Sequence, residues 1–186
     1  MNKAPLVVTL YMQTQTLTGF IYHYETGFNY HYEERLSDLL NSVSLRRENG
    51  GGFVELRDVT IRHSDGEEER LATTYINKAT IQLAATIDGD LAKGIGGKVG
   101  AKPYPFVEKL PVPVKVRMPA YILMGNMYCV SRQMAWHTIQ EKPLFLPLTN
   151  VSMQRLGNSD WWKLPFAAVN REQMLSLAEL EPSSST

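Results

Sequence analysis

Two short stretches in the first half carry residue types able to hold a metal. Tyr22-His-Tyr-Glu25 and Tyr30-His-Tyr-Glu33 repeat each other eight residues apart, across a Thr-Gly-Phe-Asn turn. In a hairpin over 22–33, His23, Glu25, His31 and Glu33 would share one side. Two imidazoles and two carboxylates suit zinc or another divalent ion. The same residues are ordinary on the wet face of an aromatic-rich hairpin. In the second half only Cys129 answers this set, in the place of His23.

The other chemical candidates are thinner. Gly94-Ile-Gly-Gly-Lys-Val-Gly100 has the glycines of a phosphate loop, but it lacks Gly-Lys-Ser/Thr, and Pro103 stands where a helix would begin. Without that helix the backbone N–H groups do not converge on an anion, and the stretch reads as a flexible linker. Ser37 with Asp38 and His31 or His63 has the residue types of a hydrolase, without a Gly-x-Ser-x-Gly elbow to expose the serine. Cys129 lies among apolar neighbours and reads as a small buried hydrophobe rather than a nucleophile. Lys93, Lys98, Lys102, Lys109, Lys115 and Arg117, with Tyr104 and Phe106 among them, could meet nucleic acid through phosphates and stacking. The formal net charge is zero, so no global field favours nucleic acid or an anionic membrane. The reading therefore names no catalytic residue and no cofactor.

The elements that must position these residues follow from hydrophobic patterning. Phe53-Val-Glu-Leu-Arg-Asp-Val-Thr-Ile61 returns as Phe145-Leu-Pro-Leu-Thr-Asn-Val-Ser-Met153, with apolar residues in the same places and Asp58 replaced by its amide, Asn150. Strands are expected at 6–12, 17–24, 53–61, 70–76 and 81–85, and again at 114–118, 122–129, 145–153 and 163–169. Gly19 and Gly125 mark matching bulges or close approaches. Asn77-Lys-Ala-Thr80 and Asn170-Arg-Glu-Gln173 mark matching tight turns. Leu36, Leu39 and Leu40 fall on one face of a helix over 34–41, and the second half shows no such triplet. Residues 88–113, rich in glycine and proline, read as a linker between a first β-module (1–87) and a second (114–180), with a disordered tail at 181–186. A chain of 186 residues, 44% hydrophobic and 20% charged, is long enough for this. One cysteine and a short, quickly interrupted N-terminal apolar run fit a cytoplasmic protein without a membrane span.

Two resemblances follow from these stretches. Arg35-Leu-Ser-Asp-Leu-Leu-Asn41, followed by Phe-x-x-Leu-x-Asp-Val, resembles an uncharacterised bacterial domain family with an R-L-S-D-x-L-N signature, which implies no activity. Leu17 to Asn29 and Tyr75 to Leu83 resemble the Sm-like small β-barrel. The resemblance implies a mainly β fold of two degenerate tandem five-stranded barrels, with one short helix in the first. It also implies a β-edge that forms rings or dimers. Sm-like proteins often bind RNA through an Asp and Asn after the second strand and an Arg-Gly in the final turn. This chain offers Asn29 without the Asp, and Asn77-Lys78 and Asn170-Arg171 without the glycine.

The expected function is thus a non-enzymatic binding or scaffold protein, with a homo-oligomer or a protein partner and no membrane. Its partner surface would draw on Leu36, Leu39, Leu40, Trp161 and Trp162, the tryptophans also being candidates for packing between the copies. One alternative is an RNA or single-stranded nucleic-acid binder using Asn77, Lys78, Asn170 and Arg171. Another is a metal-dependent enzyme at the His23/His31 hairpin.

Overall fold

The computed structural model describes residues 5–22, 35–41, 52–86, 108–141 and 143–181. Its first half contains β1 (Leu6–Tyr11), β2 (Gln15–Ile21), helix α1 (Leu36–Asn41), β3 (Phe53–His63) and β4 (Glu68–Asn77). A single 3-10 turn, Lys78–Thr80, leads into β5 (Leu83–Thr86). The second half runs through the same order: β6 (Lys109–Arg117), β7 (Tyr121–Val130), α2 (Ala135–Glu141), β8 (Phe145–Arg155), β9 (Trp161–Asn170), a 3-10 turn Arg171–Gln173, and β10 (Ser176–Glu179). Among the described residues no helix is long and apolar enough to cross a membrane.

The fold is mainly β, as expected, but the strands do not close into two barrels. All ten described strands lie in one antiparallel sheet of order β10-β6-β7-β8-β9-β5-β1-β2-β3-β4. Within it each half has the same arrangement, the fifth strand beside the first at one end and the fourth strand at the other. The halves join where β5 pairs with β9, Leu83 opposite Val169 and Ala84 opposite Ala168.

Alternation of side chains explains the strands. Leu6, Val8 and Leu10 are buried from β1, and Leu17 and Ile21 from β2. Val54, Leu56, Val59 and Ile61 from β3 meet them, a period of two broken once at Asp58. That break is a β-bulge: the register slips between Thr18 and Phe20, and Asp58 takes a left-handed φ of 50°. Asn150 does the same at φ 51°, beside the slip between Met124 and Asn126. Short polar side chains tolerate this conformation, which accounts for Asp and Asn at the repeated position. Opposite each bulge a glycine is required by space. A Cβ on Gly19 would lie 2.9 Å from the Arg57 carbonyl, and one on Gly125 would lie 3.0 Å from the Thr149 carbonyl.

Two expectations need correction. The second half has its helix after all, because Ala135, Thr138 and Ile139 supply a thinner apolar face at the same i, i+3, i+4 spacing. The linker does not reach residue 113, since β6 begins at Lys109 and pairs Pro111 with Tyr128 and Pro113 with Asn126. Leu180 donates to the Pro113 carbonyl from the β10 side. The imide nitrogens of Pro111 and Pro113 face that same side and take no N–H from the β7 ladder.

Candidate functional site

Of the metal set, His23, Glu25, His31 and Glu33 lie outside the described residues. Among the described residues no three His, Cys, Asp or Glu side chains gather as a metal would require. Leu36, Leu39 and Leu40 form no outward surface: they are 0–2% exposed and belong to the first core, where β8 and β9 add Phe145, Phe166 and Ala168. Ser37 and Cys129 are each 1% exposed, so neither is presented as a nucleophile.

Of the residues read as nucleic-acid contacts, Asn170 and Lys78 are buried, Arg171 is half-buried, and Asn77 is exposed at the β4 edge. Asn170 is fully buried; its Nδ2 donates to the Lys78 carbonyl (3.1 Å) and the Ile81 carbonyl (2.8 Å), and its Oδ1 accepts the Glu172 N–H (3.0 Å). Lys78, buried too, donates from Nζ to the Leu40 carbonyl at 2.7 Å. Arg171 repeats that bond in the second half, donating to the Ile139 carbonyl at 3.2 Å. Buried groups committed to intrachain hydrogen bonds are not offered to a phosphate.

The junction is built from three layers of such contacts. At the strands, Asn170 N–H donates to the Gln82 carbonyl at 2.9 Å, and Gln82 Oε1 accepts the Ala120 N–H at 3.0 Å. At the helix, Asn41 holds the backbone of Phe145, with Nδ2 donating to its carbonyl (2.8 Å) and Oδ1 accepting its N–H (2.9 Å). At the other end, Tyr11 and Tyr121 meet edge to face at 5.7 Å, and Arg155 lies over the Tyr121 ring at 6.0 Å. Burial pushes both phenols above the usual tyrosine range, opposed at Tyr11 by a hydrogen bond with Trp162 and at Tyr121 by the Arg155 charge. Trp162 thus packs between the halves, while Trp161 remains 43% exposed.

Each end of the sheet carries the counterpart of one junction strand, with no further described strand beside it. Strand β5 is buried along its whole length, whereas β10 is mostly exposed. The last five residues of β9 are buried, whereas in β4 only Ile76 of the corresponding five is. Phe145 is 0% exposed and Phe53, in the same place, is 48% exposed. Tyr75 on β4 and Leu175 before β10 are each 64% exposed. The sequences differ in the same sense: the covered strands read Phe-Ala-Ala-Val-Asn170 and Leu-Ala-Ala-Thr86, the bare ones Thr-Thr-Tyr-Ile-Asn77 and Ser-Leu-Ala-Glu179.

An open groove of about 690 Å³ lies on the outer face of the first half, lined by Thr9, Tyr11, Thr16, Thr18, Thr60, Arg62, Glu68, Arg70 and Trp162. Glu68 accepts from Arg62 Nε at 3.2 Å and from Arg70 at 3.5 Å, and the Arg62 bond is the main reason its carboxyl stays below the usual range. No protein-family model matches this sequence, and no curated protein matches it.

Proposed function

We propose that this chain is a non-enzymatic scaffold or binding protein built from two degenerate Sm-like β-modules, and that its working surfaces are the two free sheet edges. The supporting observation is the strand order, in which a five-stranded arrangement occurs twice and the halves join edge to edge through β5 and β9. One edge of each kind is used inside the chain, and one of each kind remains. Natural sheets blunt their edges with charge, proline or a covering element. Glu68, Glu69 and Arg70 do so for the first half of β4, while Thr73 to Asn77 carry no charge. An uncharged edge with an exposed tyrosine is suited to accept a partner's strand by main-chain hydrogen bonding.

The test is a synthetic peptide with the sequence of residues 170–181, offered to the intact protein. Binding with slowed amide exchange at Tyr75 and Asn77 is expected. Unchanged exchange at saturating peptide would remove the reading.

The groove favours a second reading, single-stranded nucleic acid, since Arg62, Arg70 and Trp162 line one surface and could serve phosphates and a base. Titration of single-stranded RNA against salt decides it. Affinity that falls steeply with salt and is lost in Arg62→Ala with Arg70→Ala would support it; no binding at low salt would end it.

A further inference from the structure

Resting on the edge reading above, we propose that the strand received at each free edge belongs to a second copy of this chain, joined head to tail. Strand β10 of one copy pairs with β4 of the next, and α2 of the first lies against the β3 and β4 end of the second.

The template is the chain's own junction. Lys78 N–H donates to the Gly52 carbonyl on the β3 side, so by alternation Tyr75 and Asn77 turn their N–H groups outward. In β10, Leu180 N–H is spent on β6, which leaves Leu177 and Glu179 facing out. These are the places of Ala168, Asn170 and Ala84 at the internal junction. The register there, Leu83 opposite Val169, becomes Ser176 opposite Ile76 between copies.

The side chains repeat the logic. Asn77 accepts the Ala79 N–H with Oδ1 at 3.0 Å, as Asn170 accepts that of Glu172. Asn170 uses its Nδ2 to clasp two carbonyls of the other half; the Nδ2 of Asn77 finds no acceptor among the described residues. Across the copies the carbonyls of Arg171 and Met174 stand where those of Lys78 and Ile81 stand.

The helices give independent support. Lys78 to Leu40 and Arg171 to Ile139 are equivalent bonds, which aligns the two helices residue by residue. Ser37 and Leu40 are each 1% exposed in a helix that meets β8 and β9 of the second half, while their counterparts are Trp136, 59% exposed, and Ile139, partly buried. Residues of α2 therefore lose cover on the face where α1 meets the neighbouring module. Phe53, Tyr75 and Trp136 supply apolar area at that contact. A heterologous contact of this kind closes into a ring or continues as a fibre.

The experiment uses complementary blocks, since a proline whose N–H would have pointed outward spares the ladder within the chain. Leu177→Pro blocks β10 and keeps β4; Tyr75→Pro blocks β4 and keeps β10. Light scattering should find the wild-type chain in species of at least twice the monomer mass, each variant alone as a monomer, and their mixture as a dimer that grows no further. If a proline variant fails to fold by circular dichroism, Leu177→Lys and Tyr75→Glu take their places in the same design. A wild-type monomer at every concentration, or a mixture that remains monomeric while the wild type assembles, would overturn the proposal. If the 170–181 peptide still protects the β4 edge of a monomeric chain, the second copy is the wrong partner and the edge reading stands. If the peptide also fails, both fall.

Discussion

At the scale of single residues, Asn170 and Asn77 are the sharpest contrast in the molecule. They occupy the same place in the two turns, yet among the described residues the side chain of one is buried with three hydrogen bonds and that of the other is exposed with one. Asn170→Ala takes the side-chain partner from the Ile81 carbonyl and the Glu172 N–H and leaves the Lys78 carbonyl with the Ile81 N–H alone, which should cost about 2–4 kcal/mol of stability by urea unfolding. Asn77→Ala should cost under about 1 kcal/mol in the isolated chain, the loss of one turn cap. Equal losses would contradict the assignment of Asn170 to the junction. Asp58→Asn should be neutral, since Asn150 already holds that conformation, whereas Asp58→Val should lose about 1–2 kcal/mol at a left-handed φ. Tyr11 and Tyr121 give the pH dependence. Their folded pKa values lie above the unfolded value of about 10, so their contribution is fully present below pH ~10 and declines as pH rises beyond it. Thermal melts from pH 7 to 11 should be flat at first and then fall, and Tyr11→Phe with Tyr121→Phe should reduce the fall. An undiminished decline in the double variant would assign it to other groups.

At the scale of elements, the two helices test how far the halves are equivalent. Leu40 is 1% exposed and sits in a core shared with Phe145 and Phe166. Leu40→Ala should lose about 2–5 kcal/mol, while Ile139→Ala, at a half-covered site, should lose about half as much or less. The reverse order, read from denaturant midpoints, would mean that α2 rather than α1 is the wedge. Elements were also where sequence reading worked best. The Gly19/Asp58 and Gly125/Asn150 pairs are legible because the bulge needs a missing Cβ on one strand and a tolerant φ on the next, and few residue types satisfy either. The tight turns are legible from Asn77 and Asn170, whose side-chain oxygens cap the turn from within it. Helix α2 was not legible, because Ala135, Thr138 and Ile139 form a weak apolar stripe whose burial depends on β7. The start of β6 was hidden by Pro111 and Pro113, which read as linker until the open side of that strand is seen.

At the scale of the whole molecule, local pattern could not tell two closed barrels from one continuous sheet. That choice rests on which strand lies beside β5, and only a contact between residues more than eighty positions apart, Leu83 with Val169, decides it. The candidate site was legible in part for the same reason. Asn77, Lys78, Asn170 and Arg171 stood out as residues in special turns, but that Asn170 is buried at a junction while Asn77 stays exposed follows from the pairing of the halves. The Leu36, Leu39 and Leu40 face was likewise visible as needing cover, and the cover turned out to be the chain's own β8 and β9. Head-to-tail continuation of the sheet is the consequence at this scale. It can be read directly by cysteine pairing, because Leu83 and Val169 form a non-hydrogen-bonded pair whose side chains approach closely. A Ser176→Cys chain mixed with an Ile76→Cys chain under mild oxidation should give a disulfide-linked dimer. Ser176→Cys mixed with Asn77→Cys, one residue out of register, should give little. Equal cross-linking in both mixtures, or none in either, would contradict the account.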